Sequence, residues 1–168
     1  EFHKLLPDIS FSDISFLIKK LRMIKSDFEI KNIRKSIKIV EKVLISAKDI
    51  IKEEMTEIEI DGILGALARK EGHQGVVRIR GWNQEMFYTH VLCGKTASIP
   101  AHTETPIGGP GITPAVAQGA SENRIKRNEP IFIDFGVGIN GYLGDMSRTY
   151  IIGELSEKLY KSYSVLKE

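Results

Sequence analysis

One stretch constrains this chain more than any other: Ile131-Phe-Ile-Asp134-Phe-Gly-Val-Gly-Ile-Asn-Gly-Tyr-Leu-Gly-Asp145-Met-Ser-Arg-Thr149. Ile131, Ile133, Phe135 and Val137 alternate with Phe132, Asp134 and Gly136, which predicts a half-buried strand over 131–137. Asn140 and Gly141 are the residue pair that best tolerates the positive φ angles of a two-residue type I′ turn, so the chain should return antiparallel. With the turn there, Ile139 faces Tyr142, Gly136 opposes Asp145 and Asp134 opposes Ser147. Asp134, Gly136, Asp145 and Ser147 then share one face, with the two carboxylates diagonal neighbours roughly 7–8 Å apart at the backbone. Gly136 leaves the space opposite Asp145 empty. Two readings stay open at this point. The aspartates are either solvent-facing residues on the polar side of a hairpin or half of a cation site, since like charges on one sheet face repel unless something positive lies between them. A single bulge would invert the parity and separate them.

The rest of the chain bounds what such a hairpin can belong to. Its 168 residues, 42% apolar and 27% charged, suit one globular domain with a single core. A net charge of +2 from 24 basic and 22 acidic residues leaves no electrostatic footprint for nucleic acid. No apolar run reaches membrane-span length or forms a signal-peptide pattern, so no membrane partner is expected. Cys93, the single cysteine, forms no internal disulfide, and a reducing, cytoplasmic setting is expected. In Val91-Leu-Cys-Gly94 it reads as a small buried residue rather than a nucleophile.

Helices come first and strands later, which suits a mixed-layer domain. Residues 12–21 are predicted to be a short helix. Ser26 and Glu29 form a capping box that opens a long helix, with Ile30, Ile33, Ile37, Val40, Leu44, Ala47 and Ile51 predicted as its apolar face against a sheet. Lys31, Arg34, Lys35, Lys38 and Lys42 make the opposite face a solvated basic surface. Thr56 and Glu59 form a second box for a helix carrying Ile60, Ile63, Leu64 and Leu67 that stops at Gly72. Val76–Arg80 and Met86–Cys93 are predicted strands with Trp82 and Asn83 in the turn between them, Trp82 being a core residue or the lining of a substrate entrance. His90, inside the second strand, is expected to be packed or hydrogen-bonded rather than a ligand. Residues 94–119, with Gly108-Gly-Pro-Gly111 and Pro114, form a loop long enough to border an active site. Ser156 is a predicted N-cap, with Leu159, Tyr160, Tyr163 and Leu166 on one helical stripe.

Asp134-Phe-Gly136, the ten residues between the aspartates, and Gly144-Asp-Met-Ser-Arg-Thr149 resemble the metal-binding strands of the pita-bread metallopeptidases: methionine aminopeptidase, aminopeptidase P and prolidase. Asn123-Arg-Ile-Lys-Arg-Asn-Glu-Pro130 and Arg22-Met-Ile-Lys-Ser-Asp-Phe-Glu29 are similar to segments of the Xaa-Pro branch, and Met55-Thr-Glu57 to the start of a family helix. The resemblance implies an α/β (α+β) fold, half of a pita bread, with an antiparallel sheet covered by helices. Residues 1–25 would be a linker and short helix, and 26–168 the N-terminal half of the catalytic domain. Both ends read as those of a fragment, with one histidine and two glutamates that complete the family's site expected beyond Glu168.

The same resemblance implies the chemistry. Asp134 would bind one of two divalent ions and Asp145 would bridge both; manganese or cobalt is favoured and zinc possible. The complete protein would be a metal-dependent Xaa-Pro peptidase, prolidase- or aminopeptidase P-like, acting on peptides with proline second, while the fragment alone would be inactive. The family carries a substrate-contacting histidine before its first metal aspartate. Ungapped alignment puts that position on Ala117, whereas matching Gly94-Lys-Thr-Ala-Ser-Ile-Pro-Ala-His102 to the family's strand end gives the role to His102. Two other readings are carried: an inactive homologue serving as a peptide- or protein-binding module, and a creatinase-like hydrolase that needs no metal. A homodimer is expected.

Overall fold

The computed structural model describes residues 2–78, 85–101 and 108–167. The predicted positions of Trp82, Asn83 and His102, and the end of the strand predicted to reach Arg80, lie outside the described residues. The chain divides into two compact units, Glu1–Lys31 and Asn32–Glu168.

The first unit holds α1 (Phe2–Leu5), α2 (Ser15–Met23) and the start of α3 (Asp27–Ile50). The helix expected over 12–21 is therefore displaced towards its C-terminal side. The Ser26 and Glu29 box forms as predicted: Glu29 Oε2 accepts from the Ser26 backbone N–H at 2.7 Å, and the Glu29 N–H reaches Ser26 Oγ at 3.4 Å.

In the second unit, α4 (Glu57–Lys70) starts at the reciprocal Thr56 and Glu59 capping box, and the chain leaves it through Gly72 at φ +100°. A two-stranded ribbon, β1 (Val77–Arg78) with β2 (Glu85–Met86), precedes the main sheet. That sheet is antiparallel, in the order β3 (Thr89–Cys93), β4 (Ile131–Ile139), β5 (Tyr142–Tyr150). The single strand predicted over 86–93 is thus two strands in different sheets. A short 3₁₀ turn (Gly94–Ser98) follows β3, and α5 (Glu157–Lys167) closes the chain behind its Ser156 cap.

One face of the sheet carries Val91, Ile131, Ile133, Phe135 and Val137, all buried, against Val40, Val43, Leu44 and Ala47 of α3 and Ile60, Leu64 and Ala68 of α4. Each Val, Leu, Ile or Phe side chain among them contributes about 1.5–3 kcal/mol on leaving water. The buried stripe of α3 differs from the expected one. Ile30 and Ile37 are exposed, whereas Asn32 and Ser36 are buried. The hairpin is the reason. Ser36 Oγ donates to the Tyr142 carbonyl at 2.8 Å, Asn32 Oδ1 accepts from Asn140 Nδ2 at 2.9 Å, and lower down the Tyr150 hydroxyl donates to the Leu44 carbonyl at 2.6 Å. Helix and strand touch so closely here that a Cβ on Gly144 would lie 2.7 Å from the Ile37 backbone nitrogen. Likewise Ile63 of α4 is exposed, and Glu57 is buried instead.

Candidate metal and substrate site

The hairpin forms in the expected register. Asn140 and Gly141 have φ of 51° and 82°, the double positive φ of a type I′ turn, and the ladder pairs Ile139 with Tyr142, Gly136 with Asp145 and Asp134 with Ser147. No bulge interrupts it, so Asp134 and Asp145 share a face, opposite to the one that carries the core. A Cβ on Gly136 would make ordinary contacts with Val77 Cγ2 at 3.4 Å and Asp145 Oδ1 at 3.7 Å.

The electrostatics of the pair follow from this placement. Asp134 is half-buried, and burial raises its pKa. Asp145 retains more solvent, yet its pKa is also raised, first by the desolvating sheet face and then by the charge of Asp134; the Met146 backbone N–H and His90 pull the other way. Burial thus raises both carboxylates, and the charge of Asp134 adds to the rise at Asp145. Among the described residues no group of three or more His, Cys, Asp or Glu side chains converges as a metal cluster. The aspartates therefore supply two anionic, oxygen-donating side chains on one open face, a donor set that fits hard or borderline divalent cations but does not enclose one.

His90 borders this face. In β3 it pairs directly with Asp134, so cross-strand alternation turns both side chains to the same side. It is 4% exposed; burial lowers its pKa while the charge of Asp145 raises it. Gln118 holds the ring, its Nε2 lying 3.3 Å from His90 Nε2. With the amide nitrogen as donor, the histidine proton resides on Nδ1. The expectation that His90 is packed and hydrogen-bonded is met, but its place beside the aspartates was not foreseen. Ala117, one of the two positions considered for the family's histidine, is exposed, and the residue next to it, Gln118, is the one that faces the site.

The loop that carries Gln118 is ordered by its own backbone: Gly108 N–H donates to Ile99, Gly119 N–H to Gly108 and Gly111 N–H to Gly119. It is tied to the end of β3 by Glu57, a fully buried carboxylate at the start of α4. Glu57 Oε1 accepts from Cys93 N–H at 2.7 Å, from Asn123 Nδ2 at 2.9 Å and from the Thr96 hydroxyl; Oε2 accepts from Ser121 N–H at 3.0 Å and Ser121 Oγ at 2.7 Å. Cys93 is buried as expected, and burial pushes its thiol pKa up, the reverse of what a nucleophile needs.

A helix-backed antiparallel hairpin presenting two aspartates on its open face is a candidate metallopeptidase half-site. The chain belongs to metallopeptidase family M24, which residues 31–168 match. Its fold is part of a pita bread. It superposes on the X-Pro aminopeptidase of Thermotoga maritima with a TM-score of 0.76 at 29% identity, covering 97% of this chain and 39% of that one. For the prolidase of Pyrococcus furiosus the TM-score is 0.73 at 28% identity, covering 92% and 39%. An uncharacterized peptidase of Staphylococcus aureus (strain MRSA252) is 31% identical over 159 residues, which is 95% of this chain and 38% of that protein. The chain thus spans well under half the length of the relatives it matches.

Proposed function

We propose that the complete protein is a metal-dependent Xaa-Pro peptidase that removes the residue preceding proline from a peptide N-terminus. The observation that carries the reading is the in-register convergence of Asp134 and Asp145 on one open sheet face, each with a raised pKa and Asp145 raised in part by Asp134. In this reading Asp134 would hold one divalent ion and Asp145 would be shared between two, manganese or cobalt being preferred. When bound, such ions supply Lewis acidity that makes a water nucleophilic near neutral pH and polarises the scissile carbonyl. The chain's own residues orient the ions through the two carboxylates, while His90, fixed by Gln118, walls the site beside Asp134. His102 remains the proposed substrate-contacting histidine. Similarity to an X-Pro aminopeptidase and a prolidase supports the proline preference.

A cytoplasmic setting and a homodimer belong to the same proposal. The single cysteine supports the first, and the exposed Leu159, Tyr160, Tyr163 and Leu166 of α5 support the second. Sedimentation showing a stable monomer at high concentration would remove the dimer.

The test is release of the N-terminal residue by the full-length protein, loaded with manganese or cobalt, from peptides with proline second and from matched peptides with alanine second. Cleavage of the proline series alone is expected, falling roughly 10²-fold or more in Asp134→Asn and Asp145→Asn. Equal cleavage of both series would remove the proline specificity. No cleavage of either, with peptide binding retained, would favour a binding module.

A further inference from the structure

Along β3 the side chains alternate, so Thr89 turns away from the aspartate face and towards α4. Between them lies a cavity of about 250 Å³ whose walls are chiefly apolar, with Ile58, Phe87, Ile112 and Val116 around Asp61 and Thr89. Asp61 has no ion-pair partner among the described residues, its Oδ1 and Thr89 Oγ1 are both enclosed, and Thr89 is at most a weak partner for the carboxylate. Burial pushes the Asp61 pKa up to about 6, with Thr89 offsetting only part of the effect. At neutral pH this remains a largely ionised carboxylate on the wall of an apolar space, an arrangement that costs stability until something positive meets it.

We infer that this cavity is a binding site for a primary ammonium group carried on an apolar body of side-chain size. The charge of Asp61 disfavours anions, and the wall beyond Asp61, Thr89, Thr113 and Gln118 is apolar, which favours a ligand with an apolar body over water alone. A guanidinium is disfavoured as well. Its fork is best matched by two accessible carboxylate oxygens, and Asp61 Oδ1 is enclosed. An ammonium needs one such oxygen, and its alkyl stem would take the place of water against Ile58, Phe87, Ile112 and Val116. Asp61 and Thr89 lie on the helix side of the sheet; the cavity shares Gln118 with the aspartate face, but the assignment does not rest on the peptidase reading.

Titration calorimetry of the full-length protein with n-hexylammonium and with its neutral isostere 1-hexanol tests the assignment. The amine is expected to bind roughly ten- to a hundredfold more tightly than the alcohol, a preference that disappears in Asp61→Asn. Asp61→Asn should fold, since it removes a desolvated charge; Thr89→Val, which leaves the carboxylate in place, should keep most of the preference. Nα-acetyl-lysine amide separates the sources: affinity equal to hexylammonium marks lysine side chains as the natural ligand, and weaker affinity marks free amines. Equal binding of amine and alcohol, binding of neither, or an amine preference that survives Asp61→Asn would each overturn the inference, whatever the outcome for peptide cleavage.

Discussion

Glu57→Gln tests the buried carboxylate that joins β3 to the loop carrying Gln118. Five donors converge on Glu57, two on Oε2 and three on Oε1. They are not equally dependent on it. Cys93 N–H also reaches Thr96 Oγ1 at 2.9 Å, and both the Thr96 hydroxyl and Asn123 Nδ2 have the Cys93 carbonyl as a second acceptor, at 3.0 and 3.2 Å. The Ser121 N–H has no second acceptor among the described residues. A glutamine loses least by turning its oxygen to the three-donor side and its NH2 to Ser121, whose hydroxyl can rotate and accept. One buried backbone N–H is then orphaned, at about 1–3 kcal/mol, and charge-assisted bonds become neutral ones, so a total loss of about 2–4 kcal/mol is expected. Glu57→Ala orphans both Ser121 donors and leaves a void, for about 3–5 kcal/mol. Equilibrium urea unfolding followed by far-ultraviolet circular dichroism reads both. At roughly 2–4 °C per kcal/mol for a chain of this size, Glu57→Gln should also lower Tm by roughly 5–15 °C. A glutamine variant within about 0.5 kcal/mol of the wild type, a typical surface-substitution effect, would refute the claim that this carboxylate holds the loop.

Three further outcomes follow from the same electrostatics. Asp145→Asn should raise the Tm of the metal-free protein, because the raised pKa values of Asp134 and Asp145 mean that the ionised pair costs stability at neutral pH; manganese should stabilise the wild type weakly and this variant not at all in a thermal-shift titration. His73 is buried, its pKa is lowered by burial, and its Nδ1 already accepts the Gly138 N–H at 3.0 Å. Its contribution is therefore fully present above about pH 6.5 and lost as pH falls through that unfolded-state value, so His73→Asn, which keeps an acceptor, should flatten the fall in unfolding free energy between pH 7.5 and 5.5. His90→Leu should slow peptide cleavage by the full-length protein roughly 10²-fold with bound metal unchanged by elemental analysis; unaltered turnover would make His90 a packing residue alone.

What could be read along the chain was what local chemistry decides. Asn140-Gly141 fixed the parity of the hairpin, and with it the face shared by Asp134 and Asp145, because a two-residue turn leaves no freedom of register. The capping boxes at Ser26 and Thr56 located two helix starts for a similar reason, each being a closed exchange of hydrogen bonds within four residues. The buried face of α3 was misplaced because tertiary partners overrode hydropathy. Asn32 and Ser36 are buried at the hairpin, where Asn140 and the Tyr142 carbonyl satisfy them, and Ile30 and Ile37 stay outside. A polar residue with a guaranteed partner costs little to bury, and no periodicity along one helix reveals that partner.

The site divides along the same line. Its carboxylates lie on the two arms of one local hairpin and could be paired from spacing, whereas His90 reaches them only through the β3 to β4 ladder, whose register no turn dictates. Gln118 is more remote still. Its position depends on a glycine-rich loop folded on its own backbone and anchored through Ser121 to Glu57 at the start of α4. The one signal that pointed towards it was the length of the 94–119 loop, too long for a compact domain without a task. A buried histidine held by an amide, set directly across from Asp134, is the kind of polar arrangement that costs stability unless every member is satisfied. Its position on a fully buried strand, between Thr89 and Val91, is accounted for by the face it shares with Asp134 and Asp145 rather than by the core behind it.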